Sequence, residues 1–275
     1  MDVARPYLSA FSARFLLVLQ YRAAAFAGFI TQAWFGGVKA MVYAAFYASG
    51  SGAAAPISLS QTITYTWLAQ ALLALLPWAP DPDVVANVRT GGVAYDRLRP
   101  IDAYALWYVR ALGWMVARAL PRALMMAAFA CVFLPLIGLS DWAWKGPANA
   151  IQGGLCLIST ALALVLSAAM VMLINILTAA TLNGRGLQIL TVPVVILFSG
   201  NLVPLALFPD WARTAVLVQP FAGVFDIPCR IYFGALSGGM AWTAMGLQLF
   251  WSVLLIWLGH LWLEAVMRKL EVQGG

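Results

Sequence analysis

Charge is what this sequence has least of. Asp, Glu, Lys and Arg make up 9% of its 275 residues while 63% are hydrophobic, and mean hydropathy is +0.88. Soluble domains carry roughly a quarter charged residues, so the composition excludes a water-soluble domain and predicts an integral membrane protein. Lysine is scarcer still: Lys39, Lys145 and Lys269 are the full set, and none precedes Ser or Thr. The phosphate-binding pattern G-x-x-x-x-G-K-[ST] is therefore absent. A nucleotide-binding module of roughly 100 to 200 residues also has no room beside about six spans of some 20 residues each. Any ATP used is hydrolysed by another chain.

One histidine, His260, and three scattered cysteines, Cys131, Cys156 and Cys229, provide no C-x-x-C pair and no ligand cluster. That inventory counts against a lipid-modifying membrane enzyme, which needs converging acids, bases or metal ligands. An ion-coupled secondary transporter is the other alternative; it calls for mid-membrane acids and repeated halves, and neither is found. Net charge +6 does not point to nucleic acid, because the arginines lie between apolar runs rather than on one solvated face. The N-terminal stretch has no small-residue cleavage site and is interrupted by Arg14 and Arg22, so it is read as retained.

What is present is a series of apolar runs separated by charges and prolines. The sequence predicts an all-α integral membrane fold with six transmembrane helices: about Ala23 to Tyr47, Pro56 to Ala79, Ala123 to Leu139, a fourth within Gly146 to Gly184, Leu187 to Leu207, and Ala241 to Glu264. The first ends at a flexible Ser49 to Gly52 stretch, the second at Pro80-Asp81-Pro82-Asp83. The fourth lies in an uncharged run of about 55 Å or more if helical, so a tilt, a projection or a bend near Gly153-Gly154 is expected. Asn183-Gly184-Arg185-Gly186 reads as a tight turn. The segment 204–239, broken by Pro204, Pro209, Pro220 and Pro228, predicts short re-entrant or outer helices. Residues 1–22 form an N-terminal interfacial segment, and the whole chain, 1–275, is one transmembrane domain.

Of the twenty-six charged residues, ten lie between Asp81 and Arg122. Within this polar segment, residues 80–122, Ile101 to Pro121 is amphipathic, with Arg110, Arg118 and Arg122 on one side of a helix that is expected to lie on the membrane surface until Pro121 redirects it. With the N-terminus inside, cytoplasmic segments hold twelve Lys and Arg and outer segments three, with Lys39 inside a span. This bias places both termini in the cytoplasm.

The loop reads R-T-G-G-V-A-Y-D-R-L-R-P-I-D and follows a short helix. It resembles the first cytoplasmic loop of ABC-2-type transporter permeases, in the subgroup with a G-x-x-A-x-x-L-x-R-P-x-D segment; P-L-A-L-F-P-D-W, Q-P-F and P-x-R-I-Y-F-G resemble the same subgroup's stretch before its last span. The resemblance implies the membrane subunit of an ABC exporter in the cytoplasmic (inner) membrane of a prokaryote. A second permease, the same chain or a paralogue, completes the pathway, and two ATPase subunits bind ATP and Mg. It implies an ATPase-coupling role for Val84, Val85, Asn87, Arg89, Gly91, Gly92, Asp96, Arg97, Arg99, Pro100 and Asp102; a basic loop near anionic lipid is the plainer reading. It likewise implies an outer lid formed by Pro204, Phe208, Pro209, Trp211, Pro220 and Phe221, or else a structural plug.

In the first span Ala24, Gly28, Gln32, Gly36, Ala40 and Ala44 recur every four residues. Such a small-residue face lets helices approach closely, either between two permeases or inside one bundle. Lys39 is an intramembrane charge and thus a functional candidate, or a side chain that snorkels to the interface. Asn175 and Thr178, with Ser167, are candidate pathway residues or ordinary hydrogen-bonding groups. His260 and Glu264, four apart, are a candidate proton-transfer pair or a structural one, and Glu264 and Arg268 form a helix-end pair.

Overall fold

A computed structural model describes residues 4–50, 57–97, 100–182 and 184–269. It is 82% helical, with no strand among the described residues. Helix α1 (Arg5–Leu19) meets α2 (Arg22–Ala48) at a 70° elbow. The chain continues through α3 (Leu59–Ala71), a tight turn at Leu73–Leu75, α4 (Pro82–Thr90) and α5 (Val93–Arg97) to α6 (Ala103–Ala128). Then come α7 (Leu134–Leu136), α8 (Ala150–Thr181), α9 (Gly184–Phe198), α10 (Asp210–Val218), α11 (Asp226–Tyr232) and α12 (Gly239–Lys269).

Among the described residues three helical rods are long and apolar enough to cross a membrane, Ala103–Leu136, Ala150–Thr181 and Gly239–Arg268, or four if the bent α1–α2 pair is one span. Helices α3 and α9, at 13 and 15 residues, are shorter than the roughly 20 residues that cross a bilayer. The predicted second span thus holds α3 and one tight turn, and the predicted fifth begins at Gly184, so that Gly184, Arg185 and Gly186 are helical rather than a turn, and ends at Phe198 rather than near Leu207.

Two local expectations are corrected. Pro121 does not redirect the chain: α6 runs through it, and a wide turn at Phe129–Phe133 carries the helix on into α7, so the amphipathic segment and the predicted 17-residue third span are one rod of 34 residues. Proline is tolerated in a membrane helix because neighbouring groups re-satisfy the one freed carbonyl. Nor does α8 bend at Gly153-Gly154, which lie in its first turn, capped by the Asn149 side chain on the Gln152 N–H at 2.9 Å. Its 32 residues rise about 48 Å, more than the hydrocarbon thickness, which leaves the other two expected outcomes, a tilt or a projection.

Helix α8 is the centre of the molecule, in contact with α4, α6, α9, α11 and α12. Its C-terminal half packs Met172, Ile176 and Ala179 against Val84 of α4, Tyr104 and Trp107 of α6 and Leu263 and Met267 of α12. At its other end the Ala148 N–H donates to the Tyr232 carbonyl of α11 at 3.0 Å. Between them, buried Gln248 of α12 donates to the Ser159 and Gly223 carbonyls at 3.1 and 2.7 Å and accepts from the Ser159 hydroxyl at 2.9 Å. Unpaired polar groups are costly at this depth, and each of these contacts satisfies one. The polar loop elements α4 and α5 and the broken segment α10–α11 therefore occupy opposite ends of one rod.

Candidate coupling site

The start of α4 follows from four residues. Pro80 and Pro82 stop the preceding run, Pro82 occupies the first helical turn where its missing N–H costs nothing, and the Asp81 carboxylate caps the helix by accepting the Asp83 N–H at 2.9 Å. The helix ends at Gly91, whose φ of +72° is the left-handed conformation that glycine adopts without a Cβ penalty. The short helix expected ahead of the loop is thus present, as Pro82–Thr90.

Its first turn is fastened at three points. Arg14 of α1 binds Asp81 at 2.7 Å and also contacts Asp83. The Asp81 N–H donates to Asn175 Oδ1 of α8 at 2.8 Å. Val84 is buried among α6, α8 and α12. Burial pushes the Asp81 carboxyl above its ordinary range, against the pull of Arg14 and the Asp83 N–H, which favour the anion. Helix α1 is itself held on α6 by close approach, since a Cβ on Gly113 would stand 2.8 Å from the Phe11 carbonyl oxygen.

Helix α5 is anchored through Asp96, which accepts the Trp107 indole N–H at 2.9 Å and lies 3.9 Å from Arg110. Asp102 caps α6 through the Ala105 N–H at 2.6 Å, and its own N–H donates to the Tyr7 hydroxyl at 3.2 Å. The Asp102 carboxylate is also 3.1 Å from His260 Nε2 of α12. The polar loop is therefore tied to α1, α6, α8 and α12, while Arg89, Thr90, Gly91, Pro100 and Tyr95, the last 70% exposed, face away from the chain. An outward helix on a base that reaches most of the bundle can transmit a push from outside.

A family description, ABC-2 family transporter protein, matches residues 24–274. The chain belongs to the ABC-2 transporter family. No curated protein and no solved structure matches it. The molecule is a multi-pass membrane component of an ABC transporter, of a family whose members work with ABC ATPase subunits.

In this ABC-2 permease the sequence-predicted loop residues come together in part. Val84 and Asp96 are buried anchors; Val85 lies near Gly184 and Asn87 near Gly92, while Arg89, Gly91, Pro100 and Asp102 are exposed. The Arg97 side chain, Arg99, Asn183 and the Ser51-Gly52 part of the predicted flexible stretch lie outside the described residues. Arg14, Tyr95 and the Asp102–His260 contact were not singled out by sequence as parts of this site; the isolated charge at Arg14 in an apolar helix was the available signal.

Asn175 and Thr178 are fully buried inside the chain, Asn175 on Asp81 and Thr178 on its own Ile174 carbonyl at 2.8 Å. Ser167 donates to the Leu75 carbonyl. The small-residue face of α2 turns inward: a Cβ on Gly36 would stand 2.6 Å from the Trp67 ring and one on Gly28 2.8 Å from Arg122 Nε, with Gln32 and Ala40 buried beside them. Lys39 donates to the Asn201 carbonyl at 2.9 Å. His260 lies between Asp102 and Glu264, 3.7 Å away, and Glu264 lies 3.6 Å from Arg268.

At the opposite end, α9 breaks at Ser199-Gly200-Asn201. Gly200 has φ +84°, and its carbonyl accepts the Tyr65 hydroxyl at 2.9 Å. Lys39 holds the next carbonyl, and the Asn201 amide reaches the Ala69 carbonyl at 3.2 Å, so the broken backbone is satisfied by α2 and α3. Beyond it Pro204 is buried, Phe208, Pro220 and Phe221 are half-buried, and Pro209 and Trp211 are exposed. Buried Leu205, Val216 and Ala222 hold this segment together.

Proposed function

We propose that this chain is the permease subunit of an ATP-driven exporter that works as a dimer of permeases above two ATPase subunits. The pathway carries a hydrophobic or amphipathic molecule out of the cytoplasm or inner leaflet. The observation that carries the reading is the mounting of α4: its first turn is fixed to α1 and α8 by Arg14 and Asn175, while its far end and α5 present Arg89, Gly91 and Tyr95 outward. ATP-driven closure of the partner subunits moves α4 and, through those anchors, the bundle. On this reading the six membrane segments are α2, α3 with the turn after it, α6 with α7, α8, α9 with the break after it, and α12, and the excess of arginine in α1 and the α4–α5 loop supports a cytoplasmic side for both. The segment 204–239 is the outer lid. With the small face of α2 occupied by Trp67 and Arg122, contact with a second permease falls to other surfaces.

Co-purification with an ATPase chain, followed by substrate-stimulated and vanadate-sensitive hydrolysis, tests the proposal. Charge reversal at Arg97 and Arg99 is expected to leave insertion intact while hydrolysis no longer drives transport. Unchanged coupling, or the lack of any ATPase partner, overturns it.

A further inference from the structure

Inside the elbow between α1 and α2 is a cleft of about 380 Å³, lined by Arg14, Leu17, Val18, Tyr21, Ala24 and Ala25 on one side and by Trp114, Arg118, Arg122 and Asp83 on the other. That volume is within the range of small-molecule sites, roughly 300–1,000 Å³. Its charges do not balance. Arg14 is bound to both nearby acids, Asp81 and Asp83. Arg118 has its guanidinium 4.1 Å from the centre of the Trp114 ring, and Arg122 is wedged against Gly28. Among the described residues neither Arg118 nor Arg122 has an acidic partner within salt-bridge distance; Asp81 acts on Arg118 only from farther off. The Nε atoms of Arg14 and Arg122 are buried without a hydrogen-bond acceptor, and the Arg14 side chain is 9% exposed.

Arg118 and Arg122 are one helical turn apart on α6, and arginine binds a phosphate group through paired N–H donors. Apart from Arg14 and Tyr21, the wall on the α1–α2 side is aliphatic, while Pro82, Asp83 and Trp114 line the other side with the two arginines. Leu17 and Val18 lie in the last turn of α1, and Ala24 and Ala25 lie in the first turn of α2. A phosphate bound at Arg118 and Arg122 therefore leaves whatever it is attached to lying on hydrocarbon.

We propose that the cleft binds the phosphate of an anionic phospholipid, its headgroup on Arg118 and Arg122 and its glycerol and first acyl carbons along Leu17, Val18, Ala24 and Ala25. Phosphate is the chemistry recognised, and the aliphatic wall assigns it to a lipid rather than a soluble ester. The bound lipid neutralises the cleft and joins α1 to α6 beside the first turn of α4.

The test uses the full chain purified in a mild detergent, titrated by native mass spectrometry with phosphatidylglycerol, phosphatidylcholine and glycerol 3-phosphate. Phosphatidylglycerol is expected to be retained over phosphatidylcholine, and Arg118→Gln with Arg122→Gln to weaken it by roughly tenfold or more. Arg268→Gln, an exposed charge at the end of α12, is expected to change nothing. Gly28→Ala puts a Cβ against Arg122 Nε and is expected to weaken retention with every charge kept, which covers a double variant that does not fold. Retention equal to the parent in the double arginine variant or in Gly28→Ala, with an unchanged near-ultraviolet circular dichroism spectrum, overturns the site. Equal displacement by glycerol 3-phosphate keeps a phosphate site but overturns the lipid. The assay contains no ATPase, so its outcome is independent of the exporter reading.

Discussion

The Asp81 N–H of the α4 cap donates to Asn175 Oδ1 of α8 at 2.8 Å, across 94 residues of sequence. Both residues are buried. Replacing Asn175 by Leu keeps the volume but leaves that N–H unpaired, which costs about 1–3 kcal/mol. A lowered unfolding midpoint in detergent is expected, together with faster hydrogen exchange in residues 82–90; an unchanged exchange rate would show that α4 is held by other means.

Arg14 binds a buried acid, Asp81, and a half-exposed one, Asp83, whose side chain is 54% accessible. Arg14→Met strands the Asp81 charge and is expected to destabilise by about 3–5 kcal/mol, the range for breaking a buried pair. Asp83→Asn is expected to cost only about 0–1 kcal/mol because water screens that pair. Asp81→Asn in the Arg14→Met background recovers part of the loss, and a double-mutant cycle on unfolding midpoints measures the coupling.

The pH dependence of Arg14→Met has a definite sign. Burial raises the Asp81 carboxyl in the folded state even with Arg14 in place, and removing Arg14 raises it further. An acid whose folded value exceeds its unfolded one binds its proton more tightly when folded. Stability is then greatest below both values and falls as pH rises from the unfolded value to the folded one. Arg14→Met is expected to be closer to the parent in midpoint at pH 5 than at pH 7.5. A deficit that grows on acidification would contradict this.

Gly113 permits α1 to lie on α6, with the Phe11 carbonyl 2.8 Å from where a Cβ would be. Gly113→Val forces the two backbones apart, and trypsin cleavage at Arg14 is expected to accelerate by roughly tenfold as α1 loosens. Gly154→Val, at a glycine with open space around it, is the control and should leave the rate alone.

Lys39→Met removes the donor to the Asn201 carbonyl at the α9 break. A buried carbonyl without its partner costs about 1–3 kcal/mol, so the break is expected to open, with faster maleimide labelling of Cys introduced at Leu202. Labelling at the parent rate would return Lys39 to a side chain that merely reaches the interface.

Much of the plan was readable from residue chemistry that acts locally. Prolines at 80 and 82, the Asp81 cap and Gly91 delimit α4 whatever surrounds it, and the run from Ala241 to Glu264 lies inside α12 because uncharged apolar sequence in lipid has no alternative to helix. Pro121 misled because in lipid an unwound backbone is costlier than one missing helical bond, so the helix continues through the proline and neighbouring groups take the freed carbonyl. The small-residue face of α2 was recognisable as a packing face, but its occupants, Trp67 and Arg122, are side chains from α3 and α6 that no periodicity names.

By itself the sequence determined that this protein lives in a membrane, that the largest share of its charge lies between Asp81 and Arg122, and that this stretch and the proline-broken segment resemble those of an ABC-2 permease. Only the tertiary structure decided how the loop is attached. The partners of Arg14, Asp81, Lys39 and Asp102 lie 67, 94, 162 and 158 residues away. Sequence spacing constrains neighbours within a turn or two of helix, whereas a buried charge or broken backbone takes whichever partner the packed bundle brings to it.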